Sequence, residues 1–186
     1  VEFLLDFPYI YHSMKFQTWL ESSLDEFKQS AILAFPNTTK RQHAIDEIEI
    51  ENVKITPYVG VKTLYAKALA HNINNGNEYN SVILFKGLNY QEQKNNNNIE
   101  INVNGIHYYF NKLSLENTQV LLRCNCQDFK NRFHHYNHID KSLQGPNRKK
   151  YIGQGLWEAN PQKLPGMCKH IMKMVETLKQ INLVTD

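Results

Sequence analysis

Residues 118–126 (TQVLLRCNC), together with residues 165–170 (PGMCKH), decide how the C-terminal third of this chain folds. The first stretch is a run of strand-forming residues that ends in a Cys-x-Cys pair, and the second places a Cys-x-His pair just after Pro-Gly. Structural zinc prefers four thiolate or imidazole ligands in a tetrahedron. The sequence therefore predicts one structural Zn²⁺ per chain, with the ligands Cys124, Cys126, Cys168 and His170.

The spacing within each pair sets a geometric condition. Residues i and i+2 of a flat strand point to one face about 7 Å apart, whereas two zinc-bound sulfurs lie only about 4 Å apart. We therefore expect the chain to bend at Asn125, because Asn tolerates unusual backbone angles. Positions i and i+2 of a helix point about 200° apart. Cys168 should therefore lie at a helix N-terminus, placed there by Pro165-Gly166, where the helix dipole also favours a thiolate. A bent strand end and a helix start make a ββα zinc unit.

Other interpretations of these residues stay open at this stage. Three cysteines, all in the last third, fit a cytosolic metal site better than a secreted disulfide framework. They could also be unrelated buried side chains, or ligands of an iron–sulfur cluster. A set of four ligands leaves no open position for metal catalysis, and no cysteine stands apart as a nucleophile, so we expect no enzyme. A second metal site could be formed by His134, His135 and His138. Ordinary surface or core histidines are the simpler interpretation of these three residues.

The ligand pattern resembles a known family. Cys124-Asn125-Cys126 and Cys168-Lys169-His170 resemble the SWIM-type zinc finger, C-x-C…C-x-H on a ββα unit, over roughly residues 115–183. The gap between the pairs is longer than usual for that family, which implies an inserted subdomain. The stretch CNCQDF…NP…PGMCKH, with MKFQTWLE and FPNTTKRQH upstream, is also similar to small virion-associated proteins of marine T-even-like tailed phages. These resemblances imply binding to DNA or protein, in a virion or the host cytoplasm, without catalysis by the metal.

Charge is divided unevenly along the chain. Residues 1–120 hold 10 Lys+Arg against 13 Asp+Glu, whereas residues 121–186 hold 11 against 5. A basic end on a near-neutral body favours an anionic partner, with nucleic acid the first candidate and a merely solvated basic face the alternative. Tyr151 or Trp157 would be available for base stacking. The candidate phosphate contacts are Arg132, Lys141, Arg148, Lys149, Lys150, Lys163, Lys169 and Lys173.

Helical periodicity appears at three places. Residues 14–33 predict an amphipathic helix that ends at Pro36-Asn37. Residues 128–138 predict a helix in the insert, and residues 168–181 predict a final helix. The apolar positions of the first helix are Phe16, Trp19, Leu20, Leu24, Phe27, Ala31 and Leu33.

Between about residues 45 and 124 the pattern is that of strands. A change of parity near Glu51-Asn52 predicts a turn or bulge, and residues 64–70 alternate as in a strand, with helix as the competing interpretation. Asn104-Gly105 between two β-rich runs predicts a two-residue hairpin. The predicted fold class is therefore α+β, with an N-terminal amphipathic helix, an antiparallel β-sheet and a C-terminal ββα zinc unit that carries a helical and loop insert.

We divide the chain into an N-terminal extension at 1–13, an α+β body at 14–117 and a zinc-binding unit at 118–186, whose insert is 127–167. The chain holds 41% hydrophobic residues, as globular proteins do. No apolar run approaches the roughly 18 residues of a membrane span, and the opening VEFLLDFPYIY lacks the basic region of a secretion signal. We expect neither a membrane nor a secreted protein. The expected partners are virion proteins or nucleic acid, with no small-molecule substrate.

Overall fold

The computed structural model describes residues 22–35, 44–150 and 159–186. These residues form a mixed α+β fold of three α-helices and nine strands. The helices are α1 (Leu24–Ala34), α2 (His134–Ile139) and α3 (Lys169–Gln180). The strands are β1 (Ile48–Tyr58), β2 (Thr63–Asn72), β3 (Glu78–Phe85), β4 (Tyr90–Gln91), β5 (Asn98–Val103), β6 (Ile106–Asn111), β7 (Leu113–Ser114), β8 (Val120–Cys124) and β9 (Val184–Thr185). No helix in the described ranges is long and apolar enough to cross a membrane.

The main sheet has four antiparallel strands in the order β1-β2-β3-β8. Within β2 the even-numbered positions from Leu64 to Ala70 are buried, while their odd-numbered neighbours are less buried or exposed. This period of two is that of a strand with one face in the core, so the helix considered for residues 64–70 is wrong. The small alanine side chains of this face leave room for the elements that pack over the sheet.

The edge strand β1 carries the predicted bulge. Its pairing register with β2 shifts between Glu51 and Lys54, and Asn52 between them has a φ of 50°. A bulge inserts one extra residue and changes which face the following side chains occupy. The change of parity in the sequence is thereby explained, and β1 continues as one strand through it.

The Asn-Gly hairpin is also confirmed. β5 and β6 pair in register up to Val103 and Ile106, and the two loop residues, Asn104 and Gly105, have φ angles of 54° and 83°. Two positive φ angles are what a type I′ turn requires. The hairpin joins β4 in a separate three-stranded sheet of order β4-β6-β5.

Helix α1 begins later than the sequence pattern predicts. Ser23 is extended and caps the helix: its Oγ accepts a hydrogen bond from the Glu26 N–H at 3.3 Å, and the Glu26 carboxylate accepts one from the Ser23 N–H at 2.8 Å. Such a capping box fixes a helix start, so a continuous helix through residues 22–23 is wrong. Leu33 is 64% exposed and does not belong to the buried face. The extension 1–13, Phe16, Trp19, Leu20 and Pro36-Asn37 lie outside the described residues.

Helix α3 confirms the predicted final helix and packs across β1, β3 and β8. Its buried face includes Ile171, Met174 and Leu178. After α3 the chain forms β9, which pairs in parallel with β7. These contacts hold the first turn of α3 against the end of β8.

The insert is less regular than a helix followed by a loop. Its first turn, Phe129–Phe133, is π-helical, and α2 follows directly. Leu143 then forms a parallel bridge with Leu122 of β8: the Leu122 N–H donates to the Ser142 carbonyl at 2.8 Å and the Gln144 N–H donates to the Leu122 carbonyl at 3.0 Å. The first arm of the insert therefore extends the main sheet beyond β8.

Candidate metal centre

The structure brings the two predicted ligand pairs together. One ligand atom from each of the four residues lies within 4.8 Å of the others, and all four side chains are buried. The three cysteines are free thiols. This group could hold a metal ion, and it consists of Cys124, Cys126, Cys168 and His170.

The first pair lies where β8 ends. Cys124 is the last residue of the strand, and the chain leaves the sheet at Asn125. The Asn125 N–H donates to the Asn80 carbonyl at 3.2 Å, and the Asn125 Oδ1 accepts a hydrogen bond from the Asn80 N–H at 2.9 Å. Asn125 is not among the described residues with positive φ, so the expectation of unusual backbone angles there is wrong. Its side chain instead continues the pairing with β3 while the backbone turns away.

Hydrogen bonds to sulfur surround this bend. The Cys126 N–H donates to Cys124 Sγ at 3.5 Å, and the Phe129 N–H donates to Cys126 Sγ at 3.3 Å. The Ser81 hydroxyl, on the neighbouring strand, donates to Cys124 Sγ at 3.6 Å. Donors aimed at sulfur stabilise thiolates, which are the metal-binding form of cysteine.

The second pair lies at the start of α3, as predicted. Cys168 is the N-cap residue, with extended angles of φ −85° and ψ 166°, so its side chain is free of the helical geometry that would separate it from His170. The His170 Nδ1 lies 3.8 Å from Cys168 Sγ. The free N–H groups of a first helical turn carry partial positive charge, which favours thiolate here.

The approach to Cys168 is fixed by Asn137 of α2. Its Oδ1 accepts a hydrogen bond from the Gly166 N–H at 2.9 Å, and its Nδ2 donates to the Gly166 carbonyl at 3.0 Å. A Cβ atom at Gly166 would lie 2.7 Å from the Phe133 ring, so the close packing of this segment needs glycine. Asn137 belongs to neither ligand motif, so the sequence does not predict its role.

The three sulfurs influence one another's ionisation. Burial by itself would raise the pKa of Cys124, but hydrogen bonds from Cys126, Cys168 and His170 lower it well below the usual value. The adjacent Cys124 sulfur raises the pKa of Cys126, and burial, followed by the other two sulfurs, raises the pKa of Cys168. The three thiols therefore do not ionise independently of one another. A divalent cation between the sulfurs would offset their repulsion and let all three bind as thiolates.

The residues present fit a metal ion. His170 is 4% exposed, its Nε2 has no hydrogen-bond partner among the described residues, and its Nδ1 lies against sulfur. A buried imidazole nitrogen without a partner is costly, and a metal at the centre of the group would satisfy one ring nitrogen. Edges of about 3.8 Å are expected in a tetrahedral site with metal–sulfur bonds of about 2.3 Å. Tyr79 packs on the His170 ring, with 4.4 Å between centroids, and holds its orientation.

The other histidines do not assemble a comparable group. His134 is 3% exposed, and its Nε2 accepts a hydrogen bond from the Arg148 N–H at 3.1 Å. Burial, with help from the charges of Arg123 and Arg148, lowers the pKa of His134 to about 4. His134 therefore acts as a neutral anchor for the insert. Across the described ranges, the Cys₃His group is the one cluster of three or more metal-binding side chains, and it does not include His134, His135 or His138.

The eight basic residues considered for phosphate contact divide into two sets. Three form ion pairs: Arg132 with Asp128 at 2.6 Å, Lys169 with Glu47 at 3.0 Å and Lys173 with Glu176 at 3.7 Å. The other five are exposed positions of the insert, namely Lys141, Arg148, Lys149, Lys150 and Lys163. Tyr151 and Trp157 lie outside the described residues.

Comparison with known proteins gives no relative for this chain. No family model, no curated protein and no solved structure matches it.

Proposed function

We propose that this chain is a non-enzymatic binding module stabilised by one structural Zn²⁺. The observation that carries the proposal is the convergence of three buried thiols and one buried imidazole from two distant segments to within 4.8 Å. Three thiolates and one imidazole are a common ligand set for structural zinc. Zn²⁺ bound by all four would have no coordination position left for a substrate, which supports a structural role and not a catalytic one.

The zinc would act between two elements of secondary structure. It would join the end of β8, through Cys124 and Cys126, to the start of α3, through Cys168 and His170. Protein contacts already position both pairs. The hydrogen bond between Asn80 and Asn125 holds the first pair, and the one between Asn137 and Gly166 holds the segment that leads to the second. The metal would therefore stabilise an arrangement for which the fold is prepared, and the exposed basic residues of the insert would be presented to a partner.

Metal content tests this proposal. We expect purified protein to contain one zinc per chain by mass spectrometry of the metal, and Cys168→Ser protein to contain almost none. Met167→Leu is a matched control, since Met167 is a buried neighbour that is no ligand. Chelation should unfold the C-terminal unit in wild-type protein, as followed by amide NMR signals of α3. Protein that folds fully without metal, or that carries an iron–sulfur chromophore, would contradict the proposal.

We propose further that the module serves in a tailed-phage particle, where its partners are other virion proteins. The support is the resemblance of MKFQTWLE, FPNTTKRQH and CNCQDF…PGMCKH to small virion-associated proteins. Mass spectrometry of purified particles of the encoding phage should detect the chain at a fixed ratio to the capsid protein. Its presence only in the lysate, and never in particles, would contradict this role.

Nucleic-acid binding is the second candidate, favoured by the five exposed basic residues of the insert. Lys150 Nζ lies 5.4 Å from the centre of the Tyr136 ring, and the backbone N–H of Arg148 donates to His134, so the backbone that carries these side chains is held in a defined position. Contacts of lysine and arginine with phosphates are the usual source of non-specific affinity for nucleic acid. Salt-dependent binding would test this candidate.

A further inference from the structure

The main sheet has an outer face, which points away from the metal centre. In β2 the buried side chains of Ala66 and Ala68 point to the inner face. Ala68 pairs there with Ser81, whose hydroxyl donates to a sulfur of the metal centre. Because side chains alternate along a strand, Tyr65 and Lys67 point to the outer face. Lys67 is exposed and Tyr65 is half-buried.

Three cations form a row across this outer face. Lys54 of β1 pairs directly with Lys67 of β2. On the other side of Lys67, Val82 of β3 separates it from Arg123 of β8. Neighbouring strands lie about 4.8 Å apart, so the row spans about 14 Å from β1 to β8. Like charges directly opposite each other destabilise a pair of strands, so this cation row (Lys54, Lys67 and Arg123) has a cost that an anion would relieve.

The charges of the cation row are not neutralised by carboxylates. Within the part of the chain that the structure describes, neither Lys54 nor Lys67 forms an ion pair. The Arg123 guanidinium donates to the backbone carbonyls of Gln144 and Pro146 in the insert. These neutral acceptors hold the Arg123 side chain in place and leave its charge uncancelled.

Arg123 also connects the cation row to the insert. Burial, followed by the charge of Arg148, lowers the pKa of Arg123. The two guanidinium groups are therefore close enough to repel each other, and Arg148 is exposed. The positive surface of the outer face thus continues onto the basic residues of the insert.

An aromatic ring lies beside the cation row. Tyr65 is two residues from Lys67 along β2, so their Cα atoms are about 7 Å apart on the same face. The phenol group of Tyr65 is near enough to Arg123 to oppose the lowering of its pKa. The row of paired residues that contains Tyr65 is otherwise uncharged and consists of Thr56, Leu84 and Leu121. A ring beside unpaired cations is what proteins use to bind single-stranded nucleic acid.

Acidic residues lie at the opposite end of the outer face. Glu51 pairs with Leu69, and His71 lies between Glu49 and Glu78. These carboxylates would repel a polyanion. The surface open to one is therefore the half of the outer face that runs from the cation row towards Tyr65.

We propose that a single strand of nucleic acid binds across this half of the outer face, with its phosphates on the cation row and one unpaired base stacked on Tyr65. A duplex keeps its bases stacked on one another and has none to offer to Tyr65. An acidic peptide would engage the cations but would leave the ring without a flat partner. The proposal rests on the nucleic-acid candidate above and adds to it a surface outside the insert. It does not depend on which metal is bound.

Fluorescence anisotropy of the metal-loaded full chain with a short labelled oligothymidine, at several salt concentrations, tests the cation row. Lys54→Gln/Lys67→Gln removes two charges and keeps polar side chains at exposed positions. The slope of log affinity against log salt should fall by about 1.4, because each phosphate neutralised on a single strand contributes about 0.7. Lys28→Gln/Lys112→Gln is the matched control, since it removes the same charge from exposed lysines of α1 and of the link after β6. Its slope should equal that of wild type.

Substitution of Tyr65 tests the stacking. Tyr65→Leu should weaken binding by about tenfold at every salt concentration and leave the slope unchanged. Tyr65→Phe keeps the ring and should bind nearly as wild type does. Tyr108→Leu removes another half-buried tyrosine ring, from β6 in the separate three-stranded sheet, and should have no effect. The lysine variant keeps the proposal testable even if Tyr65→Leu folds poorly.

Three outcomes would overturn the proposal. Equal affinity for the single strand and for a duplex of the same length would contradict the stacked base, as would equal affinity of wild type and a folded Tyr65→Leu variant. If Lys149→Ala/Lys150→Ala lowers the slope and Lys54→Gln/Lys67→Gln does not, nucleic acid binds the insert alone. The candidate function would then stand without this site, whereas a failure of every oligonucleotide to bind would remove both.

Discussion

Asn137 and Gly166, 29 residues apart, are joined by two buried hydrogen bonds that use both ends of the Asn137 amide. Gly166 lies two residues before Cys168, so this link sets where the second ligand pair enters the metal centre. It also ties α2, in the middle of the insert, to the segment that returns from it. The insert is therefore braced internally before it reaches the metal.

Gly166→Ala should destabilise the protein, because the added Cβ would lie 2.7 Å from Cε1 of the Phe133 ring. Phe133 is buried, and it packs edge-on against Phe35 with 5.8 Å between centroids, so it cannot move easily. We expect the free energy of unfolding to fall by about 2 kcal/mol in urea titrations with excess zinc. Gly60→Ala is the control, since nothing lies within 4 Å of its added Cβ. Equal stability of the two variants would contradict the packing described for Gly166.

Asn125→Ala should weaken the bend between the first two cysteines. It removes the acceptor of the Asn80 N–H and should cost about 1 kcal/mol, seen as roughly fivefold weaker zinc binding in chelator competition. Asn125→Asp keeps an acceptor and should bind zinc nearly as wild type does. Asn125→Gly tests whether the bend depends on the side-chain hydrogen bond or on a positive φ at this position. We expect Asn125→Gly to weaken zinc binding as much as Asn125→Ala does. A gain in stability would instead show that a positive φ is what matters.

The stability of the protein should depend on pH through His134. Its folded pKa, about 4, lies below the ordinary value of about 6.5, because burial disfavours the charged ring. The unfolded chain therefore binds the proton more readily, so this contribution is complete above pH 6.5 and is lost as pH falls towards 4. The expected slope is at most about 1.4 kcal/mol per pH unit.

His134→Gln isolates this slope, because Gln can still accept the Arg148 N–H but does not titrate. Both proteins lose zinc in acid, so this effect cancels in the difference between their free energies of unfolding. A constant difference from pH 7 to pH 4.5 would show that His134 is not the responsible group.

If nucleic acid binds through the insert, its exposed lysines should set the salt dependence. The double variant Lys149→Ala/Lys150→Ala should lower the slope of log affinity against log salt by about 2, because each phosphate that a lysine neutralises contributes about 0.9 to that slope. Lys173→Ala should change it little, because Lys173 pairs with Glu176. Fluorescence anisotropy with a labelled oligonucleotide measures both. Equal slopes in the three proteins, or no binding at about 50 mM salt, would contradict this candidate function.

Short-range patterns carried most of what could be predicted. The two ligand pairs, the Asn104-Gly105 hairpin and the bulge near Asn52 depend on residues within a few positions of one another, and the structure contains all of them. The start of α1 could also be predicted, since Ser23 and Glu26 have the spacing of a capping box. The helical periodicity continues upstream of Ser23, and it led to a predicted helix that begins too early.

The features that were missed depend on contacts between distant residues. Nothing in the sequence near Asn137 indicates that it binds Gly166, and the bridge between Leu122 and Leu143 joins residues with no shared motif. Tertiary pairing of this kind can be seen only once the sheet is assembled.

The long separation between the two ligand pairs has a consequence for chain entropy. A metal that joins Cys126 to Cys168 closes a loop of 41 intervening residues, and a covalent cross-link of that span would stabilise a folded chain by about 4 kcal/mol through the states it denies to the unfolded chain. The brace between Asn137 and Gly166 forms only on folding, so it does not reduce this effect. Zinc at this position would act as a reversible cross-link, with the entropic effect of a disulfide in a protein whose described cysteines are free thiols.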